Sequence, residues 1–171
     1  MRQVPDQQSG CAAPRTFIRE FLKANLLAEK KNIKLAYSGL RLGGVTGTFC
    51  GACGSNFCVT PNGDVTSCFE VLEKQDHRSR IFFYGKWRPK EKQFAIEEEK
   101  RNYLLSFHVQ NIPYCSDCIA KWHCAGDCLA KVSYDSDVEG DRGSERCWMN
   151  QEITKRRIIQ ILKNPQKIEH G

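Results

Sequence analysis

The chain has 171 residues, of which 40% are hydrophobic, 27% are charged and ten are cysteine, and its formal net charge is +6. This length predicts one domain, or a small domain with an attached piece of another. No apolar segment approaches membrane-spanning length, and the polar residues 1–6 lack the apolar core of a signal peptide, so a cytoplasmic protein without a membrane partner is expected.

The first third of the chain predicts a tail, a helix and a strand. Residues 1–15 are expected to form a flexible tail. Apolar residues then recur at three- and four-residue spacing after Thr16, the predicted N-cap, and indicate a helix over 17–30. Alternating apolar residues over 33–37 predict a short strand. The glycine-containing loop 39–47 is the candidate domain boundary.

The central segment predicts a β-hairpin. Residues 61–64 separate two apolar runs, 57–60 and 65–71, and contain an Asn-Gly pair that tolerates the positive φ of a hairpin turn. Cys68 is therefore expected on the returning strand.

Three more elements are expected further along the chain. Residues 81–84 predict a strand that ends at Gly85, and the charged segment 90–108 predicts a helix. Apolar residues over 153–162 predict a terminal helix that ends before Pro165.

Eight cysteines fall into two groups whose gaps are those of metal ligands. The groups are Cys50-x2-Cys53 with Cys68 downstream, and Cys115-x2-Cys118-x5-Cys124-x3-Cys128 with Cys147 downstream. A C-x2-C pair places two sulfurs on one tight turn, close enough for a single metal ion or for two corners of an iron–sulfur cube. The groups supply enough thiolates for two four-cysteine sites. A disulfide framework is less favoured, because the chain lacks secretory features.

The positive charge raises the question of nucleic-acid binding. The basic residues that suggest it are Arg78, Arg80, Lys86, Arg88, Lys90 and Lys92. The charge of +6 counts every cysteine as neutral. Eight thiolates on two four-iron clusters, with cores of about +2 each, would lower the net charge to about +2. A solvated basic face is therefore favoured over a nucleic-acid interface.

The complete cysteine pattern resembles a known family. Cys53 is followed after nine residues by Gly63-x4-Cys68, then by the C-x2-C-x5-C-x3-C run and by Cys147. This is similar to the seven-cysteine signature of the SPASM domain, the C-terminal auxiliary domain of many radical S-adenosylmethionine (radical SAM) enzymes. Every fixed gap is met over residues 50 to about 162, and Cys50 resembles the additional upstream ligand of such domains.

The resemblance implies two auxiliary [4Fe-4S] clusters with interleaved ligands. The implied ligands are Cys50, Cys53, Cys68 and Cys128 for the first cluster, and Cys115, Cys118, Cys124 and Cys147 for the second. The interleaving that the resemblance implies is physically reasonable, because Cys124 and Cys128 on one helical turn can aim neighbouring sulfurs at different clusters.

The implied fold class is α+β. A small SPASM-type domain over 48–163 would place a β-hairpin and helices around the two clusters. The helix and strand predicted over 16–47 resemble the C-terminal end of a radical SAM partial α/β barrel, and 164–171 would be a second tail.

One motif of the radical SAM family does not occur in the chain. The catalytic cluster of these enzymes is held by C-x3-C-x2-C, which leaves one iron open to S-adenosylmethionine. Here the only x3 pair is Cys124 and Cys128, and position 131 is Lys131. The resemblance therefore implies the C-terminal part of a longer enzyme, which does not bind or cleave S-adenosylmethionine alone.

The function implied is that of an auxiliary domain in a peptide- or protein-modifying enzyme, whose clusters bind substrate, relay an electron, or both. The expected partners are a peptide or protein substrate, an electron donor and a separate radical SAM barrel chain. A zinc-binding interaction module is the alternative, because four-cysteine zinc sites use the same ligands at the same spacing. Ligand chemistry leaves that choice open, and the resemblance favours iron.

Other cysteines and the residues beside the ligands have simpler interpretations. Cys11 is isolated in the predicted tail. A buried structural role is favoured for Cys58. His123 adjoins Cys124 but is not needed where four cysteines are available. Trp122 and Trp148 are expected to pack against the sites and exclude water.

Glu70 is the one weak catalytic candidate. By strand alternation it would share the face of Cys68, where it could act as an acid or base. A solvated carboxylate is the favoured interpretation of Glu70, and no other catalytic residue is predicted.

Overall fold

The computed structural model describes residues 13–131 and 145–163. In these ranges five α-helices and one antiparallel sheet give an α+β fold, as the sequence predicts. The helices are α1 (Pro14–Lys30), α2 (Ser79–Phe82), α3 (Glu98–Leu105), α4 (Lys121–Cys124) and α5 (Glu145–Lys163). The strands are β1 (Cys58–Val59), β2 (Asp64–Thr66), β3 (Phe83–Arg88) and β4 (Gln93–Ile96), and 3-10 helices span Val109–Asn111 and Pro113–Cys115.

The predicted hairpin is confirmed, although its strands are shorter than expected. β1 pairs antiparallel with β2, with Cys58 opposite Thr66. In the turn, Gly63 adopts a φ of 75° and its N–H donates to the carbonyl of Thr60. Because β2 ends at Thr66, Cys68 lies beyond the strand and not on it, which corrects the sequence prediction. The N–H of Cys68 donates to the hydroxyl of Thr66.

A strand forms at the predicted place, but its bounds differ from those predicted over 81–85. Residues 81 and 82 belong to α2, and β3 begins at Phe83 and continues through Gly85. A Cβ atom on Gly85 would lie 2.8 Å from the carbonyl oxygen of Ala95 and 2.8 Å from a side-chain carbon of Ile96. Gly85 therefore allows β4 to approach β3, and does not end the strand.

The helix predicted over 90–108 begins only at Glu98. Residues 93–96 form β4 instead, which pairs antiparallel with β3 at the edge of the sheet. Phe94 and Ile96 are partly buried against the core, while their neighbours are exposed. The helix itself is α3, whose first turn carries Glu98 and Glu99, a charge that favours a helix N-terminus. Of the residues in α3, Leu104 is fully buried.

Helices α1 and α5 pack together and form a second, helical region beside the sheet. Ile18 and Leu22 of α1 share a core with Leu40 and with Ile153 of α5. An ion pair of 2.7 Å between Arg157 and Glu29 also joins the two helices. This core spans the boundary predicted over 39–47.

Three predictions about α1, α5 and the segment after α1 need correction. α1 begins at Pro14, two residues before the predicted N-cap Thr16, because proline fits the first helical turn. The strand predicted over 33–37 does not form, and only an isolated bridge joins Tyr37 to Leu40. The terminal helix begins at Glu145, well before Ile153.

Candidate metal centre

Four of the predicted ligands converge on the sheet region, and are called set I: Cys50, Cys53, Cys68 and Cys128. The first two lie on a tight turn in which the N–H of Cys53 donates to the carbonyl of Cys50 at 3.2 Å. Cys68 belongs to the core beneath the sheet, and Cys50 packs against that core. Cys128 comes from the segment after α4. Set I therefore joins residues that are 78 positions apart in sequence.

The protonation energetics of set I show which thiols are neighbours. Burial raises the pKa of Cys53, and the charges of Cys50 and Cys128 raise it further. Burial also raises the pKa of Cys68, with Cys128 and Cys50 among the groups that add to the shift. The pKa of Cys128 is raised first by burial and then, among its neighbours, by Cys50.

The other four predicted ligands converge on the helical region, and are called set II: Cys115, Cys118, Cys124 and Cys147. All four line one concave pocket, together with side chains that include Asp127 and Asn150. Cys115 closes a 3-10 helix, and its carbonyl accepts from the N–H of Cys118 at 3.2 Å. Cys124 is the last residue of α4, and Cys147 lies in the first turn of α5.

Burial raises the pKa values of three thiols in set II, and neighbouring thiols of the same set add to the rise. Burial raises the pKa of Cys115 to about 12, and Cys118, Cys147 and Cys124 each contribute to the rise. Burial raises the pKa of Cys124 to about 11, with a contribution from Cys147. The pKa of Cys147 is raised first by burial, and Cys118 adds to it. For these six cysteines, the neighbouring thiols that raise the pKa belong to the same set.

A tight turn separates Cys124 from Cys128, and not the helical turn expected from their spacing. α4 ends at Cys124, and the next three residues all have positive φ: 52° at Ala125, 85° at Gly126 and 67° at Asp127. This left-handed backbone ends α4 and changes the course of the chain after Cys124. It is the local reason why Cys124 faces set II while Cys128 faces set I.

The turn is held by a carboxylate that the sequence analysis did not identify. Asp127 is buried and accepts two hydrogen bonds from the guanidinium of Arg146, at 2.9 Å and 2.8 Å, and one from the N–H of Cys128 at 2.6 Å. Arg146 lies next to Cys147 on α5. The Asp127–Arg146 pair thus fixes the position of Cys128 relative to the start of α5.

Two amide side chains near set II were also missed. The Nδ2 atom of Asn150 donates to the Sγ atom of Cys124 at 3.2 Å, and the Nε2 atom of Gln151 donates to the Sγ atom of Cys147 at 3.4 Å. Their spacing of three and four residues from Cys147 places both on its face of a helix, which is a signal that the sequence contains.

The remaining predicted residues lie outside both sets. Glu70 is exposed and paired with Lys131 at 2.8 Å, and this bond holds the pKa of its carboxyl below the ordinary value. It does not share a strand face with Cys68, because β2 has already ended. Cys58 is partly buried on β1. Cys11 lies outside the described residues.

The residues beside the ligands contact other parts of the chain. The Nδ1 atom of His123 lies 3.1 Å from the carbonyl oxygen of Gly44. Trp122 and Trp148 remain 37% and 38% exposed, so neither is a fully buried shield for its site. The ring of Trp148 instead stacks with the guanidinium of Arg15 on α1.

Nothing in the described structure forms a ready-made site for one metal ion. Across residues 13–131 and 145–163, no group of three or more His, Cys, Asp or Glu side chains is arranged to hold such an ion. None of the nine described cysteines forms a disulfide. The donors in each set are four thiols, and thiolate is the ligand that iron–sulfur clusters use, so the donor chemistry fits such a group.

No protein-family model, curated protein or solved structure matches the chain. Within the two described ranges, no helix has both the length and the apolar character needed to cross a membrane.

Proposed function

We propose that the chain is an auxiliary iron–sulfur domain of the SPASM type, which carries two [4Fe-4S] clusters and serves a radical SAM enzyme that modifies a peptide or protein. The observation that carries this proposal is the partition of eight cysteines into set I and set II. The partition follows the interleaved order that the resemblance implies, in which Cys128 joins set I although Cys124, four residues earlier, joins set II.

Each set supplies one cysteine for each iron of a cube. The resemblance favours a cluster over a single zinc ion, which would require all four sulfurs of a set within about 2.3 Å of one point. In a cube each sulfur binds a different iron, so the sulfurs stand further apart.

When bound, the clusters would supply one-electron transfer. The protein's own contribution is to hold the thiols and to surround them with apolar groups. Cys68 lies in the core formed by Val65, Phe82 and other buried residues, and Cys124 lies in the core of α1 and α5. Burial of this kind limits the access of water and lowers the local dielectric constant, which tunes the reduction potential of a cluster.

The expected partners follow from this role. The chain has no C-x3-C-x2-C sequence, so we propose that a radical SAM barrel binds S-adenosylmethionine and that this chain supports it. A peptide or protein substrate and an electron donor complete the system, in the cytoplasm. Glu70 is not part of the proposed machinery, because its carboxylate is held by Lys131 at the surface.

The proposal is tested by anaerobic reconstitution of the full chain with iron and sulfide, followed by metal analysis and visible spectroscopy. We expect about eight irons and eight sulfides per chain and a brown protein with broad visible absorption. A value near four irons would leave only one of the two sites. A colourless protein that binds about two zinc ions and no iron would establish the zinc module instead.

The catalytic part of the proposal makes a negative prediction. Eight cysteines would occupy every iron of both cubes, so the reduced chain alone should form no 5'-deoxyadenosine above a control without protein. Steady formation of this product by the isolated chain, abolished by replacement of a set I or set II cysteine, would show that one cluster has an open iron.

A further inference from the structure

The amide side chains of Asn150 and Gln151 reach set II from one face of α5. They donate to the Sγ atoms of Cys124 and Cys147, respectively, at 3.2 Å and 3.4 Å. The contact of Gln151 lies within one helical turn. That of Asn150 crosses from α5 to α4, and so depends on the packing of the two helices.

Asn150 is held firmly in its position. It is 1% exposed, and it lines the pocket that the four thiols of set II share. A Cβ atom on Gly39 would lie 2.8 Å from its Oδ1 atom, so the segment after α1 approaches the amide closely only because residue 39 is glycine. Asn150 therefore has little freedom to turn away from Cys124.

The hydrogen bonding of this amide is one-sided. Its Nδ2 atom donates to the sulfur, whereas its Oδ1 atom is buried with no hydrogen-bond partner in the described structure. Burial of an unpartnered carbonyl is unfavourable, and an apolar side chain of the same size would avoid that cost. Stability of the core alone does not explain an asparagine here, whereas donation to the sulfur does.

Backbone hydrogen bonds act on sulfurs of both sets, including that of Cys124 in set II. Backbone hydrogen bonds at Glu70 act on Cys68, and those at Ala130 and Lys131 act on Cys128, in each case lowering a thiol pKa that burial has raised more strongly. These bonds follow from the backbone path, and a side-chain substitution does not remove them. The amides on α5 are thus a means of adjusting set II separately.

We propose that Asn150 and Gln151 are positioning residues that raise the reduction potential of the cluster held by set II, which rests on the proposed function above. Reduction adds one electron, and the added charge is shared by the thiolate sulfurs. A donor to these sulfurs stabilises the reduced state more than the oxidised state, so its loss favours oxidation. The chemistry recognised is that of a cluster thiolate, not of a free ligand.

The test is a potentiometric titration of the full chain, reconstituted anaerobically with iron and sulfide and followed by electron paramagnetic resonance. The reduction wave of the cluster held by set II is the one that Cys147→Ala removes. Asn150→Leu and Gln151→Met preserve side-chain size but remove the donor. At the wild-type midpoint of set II, the ratio of reduced to oxidised cluster should fall about threefold to tenfold in Asn150→Leu, and less in Gln151→Met.

The set I wave is the internal control, and Gln160→Met is the matched control variant. Gln160 lies on the same helix, but its amide oxygen accepts from Arg157 and does not contact a sulfur in the described structure. The set I wave should keep its wild-type midpoint potential in the donor variants. Gln160→Met should leave the potentials of both clusters unchanged. This pattern separates a local effect on set II from a general loosening of α5.

The outcomes distinguish the two levels of the proposal. Retention of about eight irons with unchanged set II potentials in both donor variants would overturn the role of the amides and leave the iron–sulfur function intact. Absence of iron from the wild-type chain would overturn both. If Asn150→Leu loses the iron of set II, the test rests on the partly exposed Gln151. A shift of the set II potential in Gln151→Met then supports the inference, and an unchanged potential overturns it.

Discussion

The sheet region around set I and the helical region around set II hold their cysteines by different means. Three members of set I lie within 19 consecutive residues, on the turn before β1 and just after β2. Set II combines the 3-10 helix, α4 and α5, and its last member, Cys147, follows a segment outside the described residues. Set I therefore brings the hairpin region together with Cys128, 60 residues further along, whereas set II is drawn from residues 115–147 and depends on how α5 lies beside α4.

The chain crosses from one region to the other at the turn after Cys124. Three residues with left-handed backbone follow Cys124 there, and the Asp127–Arg146 pair connects the turn to α5. Arg78 of the sheet region also donates to the carbonyl of Ala130. A small amount of structure around Cys128 thus couples two regions that have separate cores, and the following predictions test this division.

The largest effect is expected from loss of a ligand. Cys118→Ala and Cys128→Ala should each lower the stability of the loaded chain by more than about 3 kcal/mol, because metal binding contributes directly to folding. Cys128→Ala also removes the cysteine that links the two regions, so its thermal unfolding should split into two transitions. Anaerobic calorimetry measures both effects.

Cys58→Ala is the control for the ligand variants, because Cys58 is a partly buried cysteine outside both sets. It should retain the iron content of the wild-type chain. Equal metal content and equal thermal midpoints for Cys58→Ala and Cys118→Ala would show that the ligand assignment is wrong.

A smaller loss is expected when the connection between the regions is cut at Asp127. Asp127→Ala leaves Arg146 without its buried partner and removes the acceptor for the N–H of Cys128. Because Arg146 is itself about a third exposed, the cost should be about 2–3 kcal/mol, below that of a fully buried pair. Urea unfolding measures it, and Glu20→Gln, which breaks only exposed ion pairs, should give no measurable change.

The sheet region can be perturbed alone at Gly85. In Gly85→Ala the new methyl group meets the backbone of β4, which cannot move without breaking its pairing with β3. We expect a loss of about 1–3 kcal/mol and weaker iron binding at set I, with set II unchanged. Gly43→Ala is the matched control, because a Cβ atom there meets nothing within 4 Å. Equal effects of both substitutions would contradict the close approach of β4.

The smallest effect is expected at Glu70. Its ion pair with Lys131 is solvent-exposed, so Glu70→Gln should change stability by less than about 0.5 kcal/mol and leave the iron content at its wild-type value. Equilibrium unfolding and metal analysis are the measurements. Loss of set I iron in this variant would assign Glu70 a role in the site that its surface position does not suggest.

The sequence predicts the parts of this molecule that depend on local spacing. The hairpin could be predicted because its Asn-Gly turn has a conformational requirement, and α1 because its apolar residues keep helical periodicity over four turns. The two cysteine groups were visible for the same reason, since the C-x2-C gaps are set by single turns. Their roles as ligands stay predictions.

The parts that depend on tertiary packing were missed. Gly85 was interpreted as the end of a strand, but its lack of a side chain serves the approach of β4. The high charge of residues 90–108 indicated a helix, so the alternating apolar residues Phe94 and Ile96 were not recognised as part of a strand. Asn150 could not be assigned to Cys124, because nothing in the spacing shows that α5 packs against α4. The same holds for the partnership of Asp127 with Arg146.

The central claim is that Cys124 and Cys128 serve different sites. Two double variants test it, each lacking two cysteines: Cys68→Ala with Cys128→Ala, and Cys68→Ala with Cys124→Ala. After anaerobic reconstitution, electron paramagnetic resonance compares their cluster signals with those of the wild-type chain. The first variant should lose one signal and keep the other unchanged with about four irons, because set II is intact. The second should retain neither wild-type signal. Survival of an unchanged signal in the second variant, or its loss in the first, would contradict the account.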